Sequence, residues 1–137
     1  MNKSGAIMFL DSVYSEKEAF LLSSDKLAFV GDAVFELLVR ETLSSKYDAD
    51  IGEVNKRKVD AVCCEAQAEF FRTIEPILND RETSVYKRGR NAHIGNVPKK
   101  SSPQIYHIAT GLEAVFGYLY ISGQFGRIKE LSGYMNL

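Results

Sequence analysis

Helical spacing of apolar residues runs through most of this chain, and two segments show it best: FVGDAVFELLVRETL (29–43) and YHIATGLEAVFGYLYISG (106–123). With each residue advancing roughly 100°, the first fits a helix from about Asp25 to Leu43, with Ser23 or Ser24 as N-cap. Leu27, Val30, Val34, Leu37 and Leu38 then share one arc expected to be buried. The second segment gathers Ile105, Ile108, Leu112, Val115, Phe116 and Leu119 in the same way. A further helix is expected from roughly Glu53 to Thr73, with Val59, Val62, Cys63, Ala66 and Phe70 among its apolar positions. After the Glu75-Pro76 break, Asn79 followed by Glu82 makes a capping box that opens a helix ending near Gly89 or Ala92. These repeated helical periods, with few prolines, predict an all-α fold.

Each of the two strongest segments also carries a carboxylate off its apolar arc, set among small residues. In the first, Asp32 lies on an acidic edge with Asp25 and Glu36, and Gly31 beside it sits mid-helix, where glycine costs about 1 kcal/mol against alanine. Close approach of another backbone would offset that cost. In the second, Tyr106, Thr110, Glu113 and Gly117 project together, and Ala109, Gly111, Ala114 and Gly117 leave the surface around Glu113 thin. A partner helix could then bring its own carboxylate to Glu113, and such a pair repels unless a proton or cation neutralises it. Mg²⁺ or Mn²⁺, hard cations that bind through one or two carboxylates and retain several waters, suit that site. Periodicity by itself does not bring the two helices together, and a lone helical carboxylate is ordinarily a solvated surface charge.

The chain is 137 residues long, a length that suits one domain spanning 1–137. No internal repeat or low-complexity run appears. The start, MNKSGAIMFLDS, lacks the features of a signal peptide, and no apolar stretch is long enough to span a membrane, so a cytoplasmic protein is expected. Cys63 and Cys64, adjacent on one helix, read as small core or near-core thiols, neither a disulfide nor a zinc site. His93 and His107 have no partner pattern for a metal or a triad, and read as satisfied or solvent-facing imidazoles.

Net charge is −1, yet its distribution is uneven. Acidic residues dominate through Glu53, whereas Lys87, Arg88, Arg90, Lys99 and Lys100 follow one another between Val85 and Lys100 without an acid among them. Cations near a helix C-terminus oppose the dipole, and lysine-rich loops are often merely soluble. As a group, with Asn91, they also make a candidate phosphate-binding patch beside an acidic metal site. Lys56, Arg57 and Lys58 form a smaller cluster, expected at a helix start. No aromatics are interleaved among these bases, which favours shape-based contact with an A-form duplex over single-strand stacking.

LAFVGDAVFELLVRETL resembles the signature helix of the ribonuclease III catalytic domain, and ATGLEAVFGYLYISGQF resembles that family's second acidic helix. Within it, KRGRNAH (87–93), NVPKKSS (96–102) and the Ala-Thr-Gly-Leu-Glu-Ala run are similar to motifs of the short Mini-III branch. The resemblance implies that Asp32 and Glu113 are the metal-binding and catalytic carboxylates. It also implies a homodimer that cleaves double-stranded RNA with Mg²⁺ and matures precursor ribosomal RNA, leaving 5′-phosphate and 3′-hydroxyl ends. Ala28 and Thr110 stand where the larger enzymes have a glutamate and an aspartate, which leaves the number of metals open. Asp25 matches another acidic position, but reads more simply as a first-turn residue favoured by the helix dipole. The separate double-stranded-RNA-binding domain of longer members is not expected, so affinity would come from this domain or from a partner such as a ribosomal protein. Tyr118 and Tyr120, outside the main arc of their helix, are candidate dimer surface. A non-catalytic RNA-binding or ribosome-associated protein of the same fold is the competing reading, and an interaction domain without an RNA role is a third.

Overall fold

The computed structural model describes residues 14–92 and 102–137, and every regular element among them is helical. In chain order these are α1 (Glu16–Phe20), α2 (Ser24–Lys46), α3 (Ile51–Val62), α4 (Cys64–Ile74), α5 (Asp80–Asn91), α6 (Pro103–Ile121) and α7 (Phe125–Ser132), with a 3₁₀ turn over Glu75–Ile77.

The most apolar of these, α6, runs through the middle and packs against α2, α4, α5, α7 and α1. It is buried almost all round from Ala109 onward, not along a single arc, and Tyr118 is only 1% exposed. The expectation of Tyr118 as dimer surface is therefore corrected: its ring meets Phe20 edge-on inside the molecule. Phe35, Phe70 and Phe116, from α2, α4 and α6, form the aromatic centre with ring centroids 5.8–6.1 Å apart. Phe71 of α4 stacks on Tyr86 of α5 at 3.9 Å.

On α2, Ser23 is the N-cap, and the buried stripe is Leu27, Gly31, Phe35, Val39 and Leu43, a strict four-residue row. The expected arc shares only Leu27 with it: Val30, Val34 and Leu38 are half-buried and Leu37 is 60% exposed. The physical reason is that α2 is apolar on two sides, and the side that seats against α6 is the one where Gly31 lets the backbones touch. A β-carbon on Gly31 would lie 1.6 Å from the Glu113 carbonyl oxygen, and one on Gly117 would lie 1.8 Å from that of Leu27. Two glycines, one from each helix, thus replace side-chain packing by main-chain contact. The other apolar side of α2, with Phe29 82% exposed, faces outward.

The single helix expected over 53–73 is two helices. Cys63 adopts an extended backbone (φ −67°, ψ 159°) that ends α3 and caps α4. Carbonyls orphaned at the end of α3 are taken up locally: the Cys63 thiol donates to Asp60 O at 3.2 Å, and Gln67 Nε2 donates to Val62 O at 3.0 Å. Cys63 is consequently exposed, not a core residue; Cys64 is half-buried, and both are free thiols. Lys56, Arg57 and Lys58 lie mid-helix in α3, not at its start: Arg57 pairs with Glu53 and stacks on Tyr47, and Lys58 approaches Glu36.

The capping box that opens α5 is present, with Asn79 Oδ1 accepting from Glu82 N at 2.8 Å and Glu82 Oε1 accepting from Asn79 N at 3.0 Å. Glu82 is fully buried, and Arg127 of α7 donates to both of its carboxylate oxygens at 2.9 Å. Arg127 also donates to Ile77 O, so one guanidinium ties α7 to the start of α5. No helix among the described residues is long and apolar enough to cross a membrane.

Candidate active site

Main-chain contact between α2 and α6 creates the site. Because the Glu113 carbonyl occupies the space that a Gly31 side chain would fill, the next residue along α2, Asp32, comes up against the Glu113 side chain. Asp32 is exposed and Glu113 half-buried, so the pair opens at the surface with Glu113 on its inner side. Burial, the neighbouring Asp32 charge and a hydrogen bond with Asp32 together push the Glu113 carboxyl up to about 8, against an opposing hydrogen bond from Gln67. Near neutral pH the pair therefore holds a proton between two carboxylates.

A cation could replace that proton. Among the described residues no third His, Cys, Asp or Glu joins the pair. The available donors are hard oxygens from two carboxylates, beside the Gln67 amide, whose buried Oε1 has no partner. That donor set fits Mg²⁺ or Mn²⁺ with water completing the coordination, and among the described residues it includes no thiolate or imidazole. Thr110, at one of the positions where the resemblance expects an aspartate, is buried and turns its hydroxyl to Tyr106 O at 3.1 Å. Ala28 is half-buried, and Asp25 lies in the first turn of α2.

Gln67 was not singled out in the sequence, although a signal exists. Gln67, Phe70, Phe71 and Ile74 follow the i, i+3, i+4, i+7 spacing of a buried stripe, so the glutamine stands at a position where an apolar residue is expected. It is 4% exposed.

The basic residues at the end of α5 take up different environments. Lys87 and Asn91 are exposed, and Arg90 is half-buried over the Tyr86 ring with its Nε donating to Asn91 Oδ1 at 3.2 Å. Arg88 turns inward: it donates to Phe20 O at 2.6 Å, and its guanidinium lies 4.7 Å from the centre of the Phe20 ring. It joins α1 to α5, while also lining an open cleft with Lys87, Asn91 and Asp80. Arg90 and Asn91 line a second cleft with Gln104 and His107; His107 is half-buried at that cleft, with Nδ1 buried and unpaired. Lys99, Lys100 and His93 lie outside the described residues.

Fold and carboxylate pair together define a helical domain of the ribonuclease III type, and comparison with known proteins agrees. The Ribonuclease III domain model matches residues 25–124. The chain is 36% identical to the Mini-ribonuclease 3 of Clostridium tetani over 124 residues, covering 90% of this chain and 82% of that one. It is 41% identical to the Mini-ribonuclease 3 of Synechocystis over 116 residues, covering 85% and 79% respectively. A crystal structure of a Fusobacterium nucleatum protein superposes with a TM-score of 0.77 at 27% identity, covering 88% of this chain and 94% of that one. The chain belongs to the ribonuclease III family, in its Mini-ribonuclease 3 branch, and is an endoribonuclease acting on RNA.

Proposed function

We propose that this chain is a divalent-metal-dependent endoribonuclease that cleaves double-stranded RNA in the maturation of precursor ribosomal RNA, a cytoplasmic role. The observation that carries the reading is the juxtaposition of Asp32 and Glu113 by the Gly31 and Gly117 backbone contacts, where burial and then the Asp32 charge raise Glu113 to about 8. A folded protein that places like charges together at a helix contact needs a neutralising partner there. Asp32 and Glu113 would hold Mg²⁺ or Mn²⁺, which when bound lowers the pKa of water and stabilises charge on the departing oxygen at phosphorus.

Glu113 binds the cation only after giving up its proton, so cation affinity rises with pH through the range near 8. Asp32, the more open carboxylate, lies on the solvent side from which an RNA backbone arrives. Exposed Lys87 and the Arg90–Asn91 pair would contact phosphates at the end of α5. Arg88 would act mainly by holding α1 against that helix. Lys99 and Lys100 extend the same basic stretch and complete the proposed RNA-binding set.

The proposed assembly is a homodimer. Its support is the outward apolar side of α2, where Phe29 and Leu37, 82% and 60% exposed, flank Asp32 beside Tyr120. A mass that stays monomeric at all concentrations would remove this part of the reading. A ribosomal protein that presents the transcript is a compatible partner.

The test is incubation with a long RNA duplex and Mg²⁺, alongside an Asp32→Asn/Glu113→Gln double variant and matched single-stranded RNA. Cutting of the duplex by the unaltered chain alone supports the reading. Equal cutting by the double variant removes Asp32 and Glu113 from the chemistry.

A further inference from the structure

Gln67 is a buried side chain that neighbours Glu113 of the carboxylate pair and also reaches the α3–α4 break. Its amide nitrogen has two hydrogens. One goes to Val62 O, the last carbonyl of α3, at 3.0 Å, and the same side chain neighbours the Glu113 carboxyl, where it favours the charged form. Extended backbone at Cys63 is what makes this possible: had α3 continued, the carbonyl of Val62 would have been used within the helix.

The position is costly by ordinary packing rules. Gln67 begins a stripe continued by Phe70, Phe71 and Ile74, is 4% exposed, and leaves Oε1 buried with no hydrogen-bond partner. An unsatisfied buried acceptor costs on the order of 1–3 kcal/mol, and methionine, of similar length, would fill the same space without it. A residue held at such a cost, with its amide beside the candidate cation ligand, is placed for the site and not for the core.

We propose that Gln67 is a positioning residue of the active site: its buried amide, anchored on the end of α3, sits beside Glu113 and presets that carboxylate to receive a divalent cation. This rests on the reading of Asp32 and Glu113 as the cation-binding pair. Residues that orient metal-ligating carboxylates typically change metal affinity or activity by about 10–100-fold when removed.

The experiment compares the full chain with Gln67→Met and Gln67→Asn, measuring Mn²⁺ binding by electron paramagnetic resonance without RNA, kcat and KM on duplex RNA, and the melting temperature in chelator. Gln67→Met is expected to melt within a few degrees of the unaltered chain or above it, to bind Mn²⁺ about tenfold or more weakly, and to lose kcat with little change in KM. Gln67→Asn keeps a polar amide but withdraws it by a methylene from both Val62 O and Glu113; it is expected to give the same loss of Mn²⁺ affinity, and covers the case that the methionine variant does not fold. Unchanged Mn²⁺ affinity in a folded variant overturns the proposal while leaving the cation pair intact. If the unaltered chain itself binds no Mn²⁺ and does not cut, the cation-pair reading falls, and this one with it.

Discussion

Replacing Glu113 by glutamine should uncouple the stability of the fold from pH. In the folded chain the Glu113 carboxyl is pushed from 4.5 up to about 8, first by burial, then by the charge of Asp32 and their shared hydrogen bond. Between those values the folded state keeps a proton that the unfolded chain has released, so stability must fall as pH rises. This contribution is fully present below about 4.5 and is lost as pH passes about 8. At about 1.4 kcal/mol per pH unit, the full displacement sets a ceiling near 5 kcal/mol. Glu113 retains some solvent contact, so a loss of about 2–3 kcal/mol is the working expectation after screening.

Glutamine keeps the shape and the hydrogen-bonding capacity but cannot ionise. Glu113→Gln should therefore match the unaltered chain within about 1 kcal/mol near pH 4.5 and exceed it by about 2–3 kcal/mol above pH 8.5. Urea melts from pH 4.5 to 9 in chelator read this directly, and the difference between the two curves cancels the other titrating groups. Mg²⁺ should reverse the ranking at alkaline pH, because a cation that binds only the folded chain stabilises it, and the variant has lost a ligand. Parallel curves for the two proteins would refute the claim that Glu113 is held protonated by its surroundings.

Two further outcomes follow from the same geometry. Gly31→Ala adds a carbon 1.6 Å from the Glu113 carbonyl, so α2 and α6 must separate; a loss of about 3 kcal/mol or more is expected in thermal melts, together with weaker Mn²⁺ binding. A gain in stability, as helix propensity alone would give, would show that the contact is not tight. Lys87→Glu/Arg90→Glu, with Arg88 left in place to hold α1, should weaken duplex RNA binding and make its dependence on salt shallower by about one to two in log–log slope. Unchanged affinity across a fluorescence-anisotropy salt series would move the RNA path away from the end of α5.

The carboxylate pair was legible in the sequence because the feature that builds it is written there as glycine. Gly31 and Gly117 are costly in helices, and the offset expected for that cost, close approach of another backbone, is what the α2–α6 contact supplies. The Asn79–Glu82 capping box was legible for a similar reason, being a short-range pattern with its own chemistry. Long-range choices were not. Periodicity gives an angle around one axis, and α2 has apolar residues on two sides; which side meets α6 is decided by Gly31, not by the larger residues Val30, Val34 and Leu37. The break at Cys63 carries neither proline nor glycine, and it is stabilised by Gln67 reaching back to Val62, a contact invisible to spacing. Arg88 looked like its basic neighbours, but the carbonyl and ring of Phe20, far away in sequence, draw it inward.

Stability and function pull against each other at one contact in this fold. The α2–α6 interface has the Phe35–Phe116 pair and the Leu27 and Val39 side chains, all fully or nearly fully buried, to hold it closed. The same closure forces Asp32 onto Glu113, and leaves Gln67 with an unpaired oxygen beside them. Relaxing the contact would relieve the carboxylates but open the core, so the repulsion can be relieved only locally, by a proton or a cation. A proton satisfies the pair near neutral pH; a divalent cation bound there, as proposed, would have to displace it. Under the proposed reading, proton release on cation binding would follow from the helix packing itself. Calorimetry of Mn²⁺ binding in two buffers of different ionisation enthalpy should register close to one proton released per cation near pH 7, and none for Glu113→Gln.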